Sequence, residues 1–167
     1  MGLNPPVGVQ PGAVLCMQSM YSLVQSVAVH QGSTVLYPLR NKAVIVYDED
    51  DAQNKLQGVT KPGVALIYNG MRSSGQEPGL SARVGMSASL VISLVIVADK
   101  EVVVRTDQKF PVIDLLDAVR GMIMATRSPT GHFWRFLVEA QASVKGGSTF
   151  WVQRWSTPIQ LPPTQST

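Results

Sequence analysis

One cysteine, Cys16, in a chain of 167 residues leaves no partner for a disulfide and no thiol set for a zinc site, which fits a reducing compartment. Charge is scarce as well. Asp, Glu, Lys and Arg make up 15% of the residues, and none of them precedes Arg40. The formal net charge is +3, with the basic residues scattered singly rather than clustered, a poor basis for specific nucleic-acid binding. There are two histidines, His30 and His132, far apart in the chain and with no acid in a recognisable relation to either. A glycine-rich phosphate loop with its lysine, a G-x-S-x-G elbow and a dinucleotide fingerprint are all missing. These absences lead to the expectation of a protein that is not an enzyme and needs no cofactor or metal.

The uncharged start raises the question of a targeting or membrane segment around residues 13–30. A signal peptide opens on basic residues, and Gln18, Ser19, Ser22, Gln25 and Ser26 interrupt this run. The apolar run at 84–98 is too short and too rich in serine to cross a bilayer. The expectation is a soluble product, cytoplasmic when made, without a membrane partner. With 45% hydrophobic residues, the length suits one well-buried core. Residues 1–12 and 162–167 read as extended proline-containing arms on either side of one domain at 13–161.

What is present is organised around residues 80–98. Every even position there is apolar, from Leu80, Ala82, Val84 and Met86 to Ile96 and Ala98, while the odd ones begin with Ser81, Arg83, Gly85, Ser87 and Ser89. A period of two means β-strand. From Val91 onward the odd face turns apolar too, so this half is expected to be covered on both sides. At roughly 3.3 Å per residue the whole run would reach about 60 Å if straight, against a radius of gyration of about 15 Å for a domain of this length. Either Gly85 bends it, or part of it pairs outside its own domain.

Upstream, Met17, Met20, Tyr21, Val24, Val27 and Ala28 fall at helical spacing, predicting an amphipathic helix ended by Gly32. Its polar side is neutral, uncommon for a face left in water. Residues 43–47 and 64–68 read as strands, with Asn69-Gly70 as a turn. Between them Asp48, Glu49, Asp50 and Asp51 open what reads as a solvated loop, a candidate partner-facing surface that lacks the spacing of a calcium site. Residues 102–104 resume pairing briefly. Asp107 then offers an N-cap and Pro111 a first turn for a second helix with its stripe at Val112, Leu115, Leu116, Val119, Met122 and Ile123, closed by Ser128-Pro129-Thr130-Gly131.

The final third predicts a β-hairpin. Trp134, Phe136, Val138, Ala140 and Ala142 alternate with polar residues, Gly146-Gly147 makes a two-residue turn, and residues 150–161 return. With that turn Ala142 faces Trp151, Val138 faces Trp155, Trp134 faces Ile159 and Glu139 faces Arg154, placing the tryptophans on the core side. The aromatic hairpin with Arg135 and Arg154 is the one feature that would suit single-stranded nucleic acid. Packing in the core is the favoured reading.

This order of parts, an amphipathic helix, a short strand, "KPGVALIYNG" after an acidic segment, a long alternating strand, "PVIDLLDAVRGMI", and "HFWRFLVEAQASVKGGSTFWVQRWSTPI", resembles the tail terminator proteins of long-tailed bacteriophages. The resemblance implies an α+β fold with a mainly antiparallel, mixed sheet packed against two helices and closed by the hairpin. It implies six copies in a ring on the head-proximal end of the tail tube, a virion location after assembly in the host cytoplasm, and as partners the tail tube protein and the head-tail connector or stopper. Another head-tail joining or tube-like virion protein is the runner-up; a single-stranded nucleic-acid module comes from a different class. Arg83, Val84 and Met86, on the half of the long strand that one domain has difficulty covering, are the candidate intersubunit contacts.

Overall fold

A computed structural model describes residues 12–57, 61–73, 86–142 and 149–161, apart from the side chains of Glu49, Gln57 and Met86. Helix α1 spans Ala13–Gln25, followed by β1 (Val29–Gln31), β2 (Thr34–Leu36), β3 (Ala43–Val46), α2 (Glu49–Gln57), β4 (Gly63–Ser73) and β5 (Met86–Ala98). Then come β6 (Glu101–Arg105), β7 (Gln108–Pro111), α3 (Val112–Met124), β8 (Arg135–Gln141) and β9 (Thr149–Leu161). The main sheet has the order β3-β4-β5-β9-β8, with β3 parallel to β4 and the other neighbours antiparallel. β1-β2 and β6-β7 form separate two-stranded ribbons.

The alternating run supplies the middle strand of that sheet. Leu90, Ile92, Leu94 and Ile96 point to one face, where Cys16, Met17, Met20 and Val24 of α1 and Leu115, Leu116, Val119 and Ile123 of α3 cover them. Val95 and Val97 point to the other, where Ala65, Ile67, Phe150 and Val152 gather under Ala52 and Leu56 of α2. Burial of β5 on both faces from Val91 to Ala98 matches the double apolar pattern of that half. The chain is thus an α+β domain with a mixed sheet, helices on it and a C-terminal β8-β9 hairpin. Residues 80–85, the first part of the expected strand, lie outside the described residues, as do residues 1–11 and 162–167 of the two arms; Gly12 stands at the N-cap of α1.

Several local expectations change. The stretch after Asp48 is a helix and not a solvated loop. β3 and β4 run parallel, a geometry that needs a crossover, and α2 supplies it. The first helix ends at Gln25, and Gly32, with φ +59°, instead occupies the two-residue β1-β2 turn that brings Gln31 opposite Thr34. Asn69-Gly70 is not a chain reversal. β4 continues through it, and Gly70, at φ +92°, sits where the β4-β5 register shifts between Tyr68 and Met71. Asp107 lies in the β6-β7 turn, so the N-cap of α3 is Pro111, and the helix stops at Met124, before Ser128.

The hairpin forms, in another register. Gln141 faces Trp151, Ala140 faces Val152, Glu139 faces Gln153 and Val138 faces Arg154; past a bulge, Phe136 faces Trp155 and Arg135 faces Ser156. Near the turn this is one residue out of step with a two-residue Gly146-Gly147 connection; the turn itself lies outside the described residues. A one-residue slip exchanges the faces of a strand. Glu139 therefore points towards α3, where Arg120 bonds it, and the expected Glu139–Arg154 pair does not form. Trp155 is still fully buried, because its face is decided by β5, where it lies opposite Ile92. Trp134, just before β8, is buried as well, without facing Ile159.

Candidate assembly surfaces

The acidic run divides by role. The Asp48 carboxylate accepts the backbone N–H of Asp51 at 2.7 Å, capping α2. Asp51 pairs with Lys55 one turn on, at 3.7 Å, and Asp50 is exposed. Glu49 opens the helix. Acids at the N-terminus and a lysine in the last turn suit the helix dipole. Ala52 and Leu56, four apart, anchor the helix by burial. Those spacings were the signal for a helix here.

Of the candidate contacts on the long strand, Arg83 and Val84 lie outside the described residues. Met86 begins β5 opposite Leu161, and Ala88, two residues on, is paired on both sides, to Ser73 and Ile159. This part of the strand is interior to the sheet. Among the described residues the open edges are elsewhere: β3 pairs only with β4, and β8 only with β9.

Both edges carry exposed apolar side chains. On β8, Phe136, Leu137 and Val138 are 39%, 51% and 40% exposed, with Phe136 edge-on to Trp155 at a centroid distance of 5.3 Å. Three consecutive apolar residues break the alternation of this strand, which was the available signal. Along β3, an apolar groove of about 490 Å³ lies between the start of α1 and the sheet, lined by Val14, Met17, Gln18, Ile45, Tyr47 and Tyr68. Tyr47 is 89% exposed. Scattered exposed apolar residues are ordinary; a contiguous groove beside an unpaired edge is not.

Chemical groups are isolated by comparison. Cys16 lies on the buried face of α1, where desolvation pushes its thiol up to about 11. Among the described residues no three His, Cys, Asp or Glu side chains are grouped so as to hold a metal ion. Trp134 and Trp155 are buried in the core, and Trp151 packs against it, leaving Phe133 and Phe136 as the exposed rings of this region. No helix among the described residues is long and apolar enough to cross a membrane. No protein-family model matches the chain, and no curated protein matches it significantly.

Proposed function

We propose that this chain is a structural subunit of a bacteriophage virion, of the tail terminator kind: copies close into a ring on the head-proximal end of the tail tube, stop its polymerisation and meet the head connector. The role is mechanical and uses no cofactor. The observation that carries the reading is the pair of open edges at opposite ends of one sheet, each flanked by exposed apolar side chains. Different surfaces at the two ends of a domain favour head-to-tail contacts, and these give rings when the rotation closes. The order of elements, which underlies the resemblance to tail terminators, adds the site of action and the count of six.

The test is to add the purified protein to tail tube protein while it polymerises and to examine the products by electron microscopy. Tubes become shorter on average and carry a cap at one end. Tubes of unchanged length with bare ends would contradict the role.

A further inference from the structure

The two open edges lie at matching heights on the sheet. Followed through the ladders, Val46 is level with Ile67, Ser93, Arg154 and finally Val138, and Ala43 is level with Val64, Ile96, Trp151 and Gln141. Tyr47, next in the chain after Val46, comes level with Phe136, which shares its row with Tyr68, Ile92 and Trp155. The faces agree as well. Phe136 shares the helix-covered face with Trp155, and Ile45 shares it with Leu66, next to the groove beside α1.

Strand direction is equally informative. β3 runs with β4 and β9 and against β5 and β8. Rotation about an axis near the strand direction, which lays edge on edge and keeps the helices on one side, sets β3 of one copy antiparallel to β8 of the next. The end of β3 then meets the start of β8. Asp48, Asp50 and Asp51 follow the end of β3, whereas Arg135 opens β8 and Arg127, over the Phe133 ring at 4.3 Å, precedes it. Acid meets base at the same end of the contact.

From these matches we infer that a second copy of this chain occupies the groove: β8 of one subunit adds antiparallel to β3 of its neighbour, Phe136 and Leu137 fill the space between Val14, Ile45, Tyr47 and Tyr68, and Arg135 faces the Asp48–Asp51 turn. The inference rests on the ring reading and specifies its surfaces. Backbone pairing supplies affinity, and the apolar insertion and charges fix direction and register. Each copy offers one edge of each kind from its five-stranded sheet, so every contact uses up two different edges and a closed ring leaves neither β3 nor β8 open.

Tyr47→Asp disables the β3 side and Leu137→Asp the β8 side; both positions are exposed, so circular dichroism of each variant stays that of the wild type. Native mass spectrometry, at concentrations where the wild-type protein assembles, is expected to find each variant monomeric and an equimolar mixture forming a one-to-one dimer and nothing larger. Only a head-to-tail contact between two different edges gives that result. Hydrogen exchange provides a second readout: amides of β3 and β8 gain protection in the wild-type ring relative to the Tyr47→Asp monomer. A ring that forms with either variant, a mixture that stays monomeric, or protection gained only elsewhere overturns the edge pairing and leaves the ring reading standing. A wild-type protein that never assembles, alone or with tail tubes, overturns both.

Discussion

Gln153 lies opposite Glu139 across the β8-β9 ladder and ties three elements together. Its side-chain nitrogen donates to the Glu139 carboxylate at 2.8 Å and to the Leu116 carbonyl of α3 at 3.4 Å, and its oxygen accepts the Trp155 indole N–H at 3.3 Å. Arg120 closes the chain by bonding both Glu139 and Asp117. Gln153 is wholly buried, so its polar atoms are affordable only because each has a partner. Gln153→Leu keeps the volume and removes those partners. It is expected to lose about 1–3 kcal/mol in urea unfolding despite the more apolar side chain; unchanged stability would show that the network contributes nothing.

Trp155 is the largest fully buried side chain, and Phe136 meets it edge-on. Trp155→Ala is expected to cost about 3–5 kcal/mol and to loosen β8, seen as faster hydrogen exchange between Arg135 and Gln141. A smaller loss with unchanged exchange would mean that the indole is not a central packing element.

At the start of α2, Asp48→Ala removes the cap and is expected to cost about 1 kcal/mol. Asp50→Ala, at an exposed position nearby, is expected to change stability by less than about 0.5 kcal/mol. Equal effects of the two would count against the cap.

The difference between these two acids marks how far the sequence could be read. The central strand was legible because its period of two is long and both of its faces turn apolar where it enters the core; α3 was legible because Leu115, Leu116, Val119 and Ile123 hold a helical stripe. The crossover helix was missed because only Ala52 and Leu56 anchor it among acids and amides, and the need for it comes from the parallel β3-β4 pairing, a tertiary fact. The register of the hairpin was missed because the pairing is already one residue out of step at Gln141 and Trp151, next to the turn, and a bulge between Phe136 and Val138 shifts it again; neither offset leaves a mark in composition. The open edges were out of reach for the same reason, since which strand ends a sheet depends on the order of all of them. Arg83 and Val84 looked exposed along one strand, while the described part of that strand lies at the centre.

Cys16 gives a prediction in pH. Burial raises its thiol from 9.0 to about 11, so as pH rises the unfolded chain releases this proton before the folded one does. The contribution to stability is whole below pH 9 and is lost as pH climbs through about 11. Urea midpoints of the wild-type protein therefore fall across that window more steeply than those of Cys16→Ala. Parallel profiles would show that the thiol ionises equally in both states.

The mass of the assembled particle is the most direct test of the central claim, a domain that completes its surfaces in a closed ring. Mass measurement of the purified protein, alone and after mixing with isolated tail tubes, is expected to give one discrete species of six copies, free or bound at a tube end. A protein that remains monomeric in both conditions, or that grows into a continuous distribution of sizes, would contradict it.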